Sequence, residues 1–142
     1  MPRFRIADAA FDSADLRRQL LAEQAGAFAS FEGWVRDNND GRAVVALTYE
    51  SYQALAEAEG EQVIAEAKAR FAIIDAACVH RVGRLEPGEL AVWVGVSAGH
   101  RDAAFAACRW IIDEIKSRVP IWKHEHYAEG GAQWLHPSAG GP

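Results

Sequence analysis

Between His100 and Val119 the apolar residues Ala104, Phe105, Cys108, Ile111, Ile112 and Ile115 recur at spacings of three and four. That period predicts a helix with one stripe laid on a core, and Pro120 stops it by disfavouring helical geometry in the residue before it. A second helix is predicted over Gln53 to Phe71, where Leu55, Val63, Ile64, Ala67 and Phe71 repeat among Ala and Glu. A shorter one starts at Asp12 or Ser13, turns Leu16, Leu20 and Leu21 inward and ends at Gly26. Strands are predicted at Phe4 to Ile6, Ala27 to Arg36, Val44 to Tyr52, Ala76 to Val82, Leu90 to Ser97 and Ile121 to Tyr127. Asp37 to Gly41, reading DNNDG, is a turn that sets Arg36 at the mouth of a hairpin, and Glu86-Pro87-Gly88-Glu89 joins another strand pair. Neighbouring strand pairs broken by helices predict an α+β fold, one domain over 1–136 with a largely antiparallel sheet, followed by a mobile tail over 137–142.

Composition narrows the function. With 142 residues the chain can bury a core without disulfides or metal. A net charge of -5 argues against general nucleic-acid binding, which needs a basic surface, so any anion site must be local. Cys78 and Cys108 fall inside apolar patterns without paired or metal-type spacing, as small core residues of a reducing compartment. No run approaches the length of a membrane span, and Asp8 and Asp12 interrupt the N-terminus where a signal peptide needs an apolar block. The expectation is a soluble cytoplasmic protein.

The candidate chemistry sits at both ends of the long helix. At about 100° per residue Lys116 lies about 40° from Ile112, on the border of the buried stripe. Lys123 follows seven residues later, past the proline, so both ammonium groups can converge on one pocket with Arg36. Repulsion and desolvation would lower a lysine pKa and fit it for acid, base or nucleophilic work. On spacing alone, a snorkelling Lys116 and a solvated Lys123 are the more ordinary alternative. His100 and Arg101 follow Ser97-Ala98-Gly99 at the helix start, where free N–H groups suit a phosphate. Fifteen residues at about 1.5 Å each separate Arg101 from Lys116 by roughly 22 Å, so either there are two sites or a second copy completes one. His124, His126 and His136 lack the usual zinc spacing. Cys108 sits mid-stripe, away from any base, and Asp113 pairs by spacing with Arg109 or Lys116 as a surface ion pair.

His80-Arg81-Val82-Gly83, Leu85, Gly88-Glu89, His100-Arg101, Ala104-Phe105, Asp113, Lys116 and Pro120-Ile121-Trp122-Lys123 with Glu125 resemble the large, catalytic subunit of molybdopterin synthase. The match begins near Phe31-Glu32-Gly33-Trp34-Val35-Arg36, includes Glu50 and Tyr52, and reaches Trp134. The resemblance implies an α/β-hammerhead fold and a dimer of large subunits within a heterotetramer. Each would receive the Gly-Gly thiocarboxylate tail of a small ubiquitin-like sulfur-carrier subunit. Sulfur would pass from two such tails to cyclic pyranopterin monophosphate, forming the molybdopterin dithiolene, with no resident cofactor or metal.

By motif position the resemblance makes Lys116 and Lys123 catalytic and places Arg36, His100, Arg101 and Glu125 around the substrate beside Phe31. His100 and Arg101 would come from the second large subunit. Two positions differ from the family: Ile112 stands where a methionine is frequent, and Leu135-His136-Pro137-Ser138 follows Trp134 where an arginine is frequent. Gly140-Gly141-Pro142 is a tail ending, because Pro142 covers the Gly-Gly pair and no ubiquitin-like domain precedes it. A rival of a different class is a non-catalytic dimeric module that clamps a phosphorylated metabolite with Arg36, His100 and Arg101.

Overall fold

The computed structural model describes residues 2–135, and side chains through residue 131. The expected tail over 137–142 and His136 lie outside the described residues. In chain order the elements are β1 (Phe4–Ala7), α1 (Ser13–Leu20), β2 (Ala27–Trp34), β3 (Asn38–Asn39), β4 (Arg42–Ser51) and α2 (Gln53–Arg70). There follow β5 (Ile73–Arg81), β6 (Gly83–Leu85), β7 (Leu90–Ala98), α3 (Arg101–Arg118), β8 (Ile121–Tyr127) and β9 (Ala132–Leu135).

The strands form two sheets. One has the order β1-β5-β7-β2 and the other β3-β4-β8-β9, with β6 also on β4. Only β1 with β5 runs parallel; the other pairings are antiparallel, as the α+β reading expects. Helices α2 and α3 cover one face of the first sheet and α1 the other. Strand β7 and β5 from Ala76 onward are therefore buried on both sides, which is why residues 76–79 and 91–96 read as apolar runs without alternation.

The expected hairpin of Ala27–Arg36 with Val44–Tyr52 does not form. Strand β2 pairs with β7, while β4 pairs with β3, β6 and β8. The DNNDG turn is real but tighter: Asn38 and Asn39 pair back on Ala43 and Arg42 around Asp40 and Gly41, both at positive φ. Arg36 thus lies in the segment that crosses from one sheet to the other.

Three leucine and phenylalanine positions expected inside are outside: Leu21, Leu55 and Phe105 are 53%, 59% and 65% exposed. Leu21 is the C-cap of α1, which ends at Leu20 rather than Gly26, and Leu55 sits in the first turn of α2. Phe105 lies about 20° around α3 from Lys116, beyond the edge of the stripe formed by Ala104, Ala107, Cys108, Ile111, Ile112 and Ile115.

Helix α2 packs on β1 through Gly60, where an added Cβ would come within 2.2 Å of the buried Phe4 ring. Alanine there would gain helix propensity worth about 1 kcal/mol. It would nevertheless force the ring off its seat, and overpacking of this kind costs about 1–3 kcal/mol. Gly60→Ala is therefore expected to lower stability in urea unfolding; an unchanged or raised midpoint would refute this account of the contact.

Candidate functional site

Strand β8 alternates cleanly. Lys123, Glu125 and Tyr127 point inward, and Trp122, His124 and His126 outward. The register sets Lys123 opposite Tyr49 and Glu125 opposite Leu47 on β4. Lys123 is 1% exposed, so the solvated-strand alternative fails. Its Nζ lies 3.3 Å from Glu125 Oε1 and makes no hydrogen bond among the described residues. Glu125 Oε2 accepts from Asn39 Nδ2 at 2.9 Å and from the Tyr127 hydroxyl at 2.6 Å. The Arg42 guanidinium stacks 3.6 Å from the centre of the Tyr127 ring and caps the cluster.

Lys116 reaches the same region from the last turn of α3, half-buried on the border of the stripe. The chain leaves α3 at Val119, and Pro120 turns it into β8. Burial holds the Lys116 ammonium below its ordinary pKa, with Lys123 and Arg36 adding repulsion and Asp113 opposing them. Lys123 is also lowered, first by burial, with Glu125 opposing and Arg36 contributing. Glu125 differs in balance. Burial works to raise its pKa, but the hydrogen bonds from Tyr127 and Asn39 and the charge of Lys123 outweigh it and leave the carboxylate low.

This has a measurable consequence for Tyr127→Phe. A carboxylate held low in the fold contributes stability above its unfolded value of about 4.3, and that contribution disappears as pH falls through the folded value. Removing the Tyr127 donor is expected to cost about 1–3 kcal/mol at pH 7 and less below about pH 4. Denaturant unfolding at both pH values checks it; a pH-independent difference would mean that only ring packing changed.

Lys116, Lys123, Glu125 and the charge of Arg36 thus converge. Phe31 lines an adjoining groove of about 330 Å³ with Ala29, Phe105, Cys108, Ile112 and Lys116. His100 and Arg101 are not brought in: both are exposed at the start of α3, His100 as an N-cap whose side chain caps nothing. Asp113 pairs with Arg109 at 3.1 Å on the exposed face, and both cysteines are buried free thiols.

The outward histidines form a tilted pair, ring centres 4.6 Å apart, with His126 3.0 Å from the Thr48 hydroxyl. Among the described residues no group of three or more His, Cys, Asp or Glu is arranged to hold a metal.

Sequence reasoning missed Tyr127, Asn39 and Tyr49. Tyr127 was accessible in principle, two residues beyond Glu125 on a strand of period two. Asn39 and Tyr49 reach the cluster only through the pairing of β3 and β4, which local pattern does not contain.

The sequence model of the MoaE protein family matches residues 6–118. The molybdopterin synthase catalytic subunit of Thermoplasma volcanium is 46% identical over 120 residues, covering 84% of this chain and 88% of that protein. Its counterpart in Pseudomonas aeruginosa is 43% identical over 133 residues, or 92% of this chain and 88% of the relative. The crystal structure of molybdopterin synthase from Staphylococcus aureus superposes with a TM-score of 0.90 at 32% identity, covering 95% of this chain and 98% of that one. In sequence and in fold alike, this chain belongs to the MoaE family, that of the molybdopterin synthase catalytic subunits.

Proposed function

We propose that the chain transfers sulfur from the C-terminal thiocarboxylate of a small ubiquitin-like carrier to cyclic pyranopterin monophosphate, with Lys116 and Lys123 as catalytic residues. One observation carries the reading. The chain has three lysines, Lys68, Lys116 and Lys123, and two of them converge although burial disfavours both charges. The Glu125 carboxylate offsets part of the cost of burying Lys123 at 1% exposure, but it gives no reason to set a second cation beside it.

The chemistry follows from the charges. A thiocarboxylate tail lying along the groove beside Phe31 and Phe105 is an anion arriving at a cationic end. Its sulfur attacks a pterin carbon; a C–S bond forms as the C–O bond breaks, and a lysine ammonium gives its proton to the departing oxygen. Water then cleaves the resulting thioester, frees the carrier as a carboxylate and leaves the sulfur on the pterin, and a second thiocarboxylated carrier delivers the other sulfur of the dithiolene to the neighbouring carbon. Lowered lysine pKa values ease that proton transfer near neutral pH. Glu125 fixes Lys123, and Arg36 binds the substrate phosphate with His100 and Arg101 of a second copy, since roughly 22 Å of helix keeps those two from their own chain's lysines. The active unit is then a dimer of this chain within a heterotetramer working in the cytoplasm. No described helix is long and apolar enough to cross a membrane.

Reconstitution tests the reading: purified chain, thiocarboxylated carrier and cyclic pyranopterin monophosphate, with molybdopterin detected as its oxidised fluorescent derivative. Product that depends on all three components is the expected result. No product with a competent carrier and substrate would overturn it.

A further inference from the structure

Behind Lys116 the protein holds a second polar group that the proposed chemistry does not use. His80 of β5 is 5% exposed in the interior. Its Nδ1 donates to the Arg81 carbonyl at 2.7 Å, since a carbonyl can only accept. That bond fixes the tautomer: in the neutral ring Nε2 carries a lone pair and is an acceptor. The ring meets Tyr49 edge-on, centroids 4.9 Å apart, which fixes its plane as well. Burial, together with the charge of Lys116 and against the Arg81 bond, depresses the imidazole to about pH 4. It is therefore uncharged wherever the protein works.

His80, Tyr49 and Lys116 line a common cavity with Ile112, Ile115 and Ile121. Its volume is about 10 Å³, the room of a single water molecule. Burial, Lys123 on β8 and Arg36 beyond β2 all oppose the Lys116 proton, and Asp113 favours it. Tyr49 on β4 is itself held neutral, its hydroxyl acidity suppressed by burial and then by Glu125. The Nε2 lone pair of His80 on the inner side can hold a Lys116 proton without adding charge.

We infer that His80 is a positioning residue for Lys116: its Nε2 lone pair, through one water in the shared cavity, orients the Lys116 amine and keeps it protonated for transfer to the leaving oxygen. The turnover part of this inference rests on the sulfur-transfer reading, and the protonation part does not.

The test measures both on the full-length chain. With [13C,15N]-lysine incorporated, three Cε resonances titrate, and Lys→Arg variants assign them. His80→Phe keeps a ring against Tyr49 but removes the acceptor. Its Lys116 midpoint is expected to fall by about one pH unit, the alkaline limb of kcat to move with it, and KM to stay within about twofold. His80→Gln, which extends an amide oxygen toward the cavity, is expected to restore most of both. If the phenylalanine variant does not fold, His80→Asn serves, because its shorter amide can still donate to the Arg81 carbonyl without reaching Lys116. A folded Phe or Asn variant with the wild-type Lys116 midpoint overturns the inference, as does a glutamine variant shifted as far as phenylalanine. Absence of product from wild type overturns the sulfur-transfer reading alone, and the resonance measurement still decides the role of His80.

Discussion

Lys116→Ala is expected to reduce molybdopterin formation by about 10³-fold or more while the chain stays folded and still binds the carrier subunit. The magnitude combines loss of a positioned proton donor with loss of charge at the breaking C–O bond. A binding module would respond differently, since removing one half-buried cation would weaken affinity modestly and change no chemical step. Single-turnover kinetics at saturating carrier separates the two. A mutant that turns over normally once saturated would sink the catalytic role of Lys116.

The same position makes an opposite prediction for stability. A lysine whose folded pKa lies below its unfolded value binds its proton less tightly in the fold, so at neutral pH its charge subtracts stability. That deficit closes as pH rises through the folded value toward about 10.4. Lys116→Met keeps the aliphatic stem and removes the charge. It should melt above wild type at pH 7, with the gap narrowing toward pH 10, and should be as inactive as alanine. An inactive variant more stable than its parent is the mark of a residue retained for chemistry.

Mixing two dead proteins is expected to restore activity. If Arg101 works in the partner's pocket, Arg101→Ala and Lys116→Ala fail alone, yet a heterodimer of the two has one pocket with both defects and one with neither. Random exchange makes half of the dimers mixed, each with one intact site, so about a quarter of wild-type activity should return. Activity that stays at the level of the separate mutants after verified subunit exchange would place Arg101 outside the shared pocket. The experiment reads the second copy's contribution directly, which the isolated chain cannot do because α3 itself holds the two residues apart.

Much of this site was legible in the sequence because it sits where local signals are strong. The period of α3, the proline after Val119 and the alternation of β8 are short-range features, and together they deliver Lys116, Lys123 and Glu125 to one place. Burial was less legible. Lys123 reads as an ordinary strand lysine until β4 is laid beside it, and Phe105 reads as core until the edge of α3 is seen to overhang a groove. The sequence puts Arg36 at a hairpin because adjacent strands usually pair; here the chain changes sheets instead, and only long-range register records that. His80 belongs to a sequence motif, but its relation to Lys116 depends on β5 passing beneath the end of α3, which brings residues 36 positions apart to one cavity.

Strand β1 lies at one edge of its sheet, and the N–H groups of Phe4 and Ile6, with that of Arg3 just before it, are taken by side chains. Arg3 and Phe4 donate to Glu61, at 2.7 and 3.1 Å, and Ile6 donates to Glu57 at 3.4 Å, both carboxylates belonging to α2. A strand whose spare donors are already taken offers little to an incoming strand, and negative side chains across that edge repel an incoming carbonyl row. The sheet is therefore sealed against end-to-end growth on the β1 side. Addition of a strand from another chain is confined to the far side, along β2, where Phe31 and the groove toward Lys116 lie.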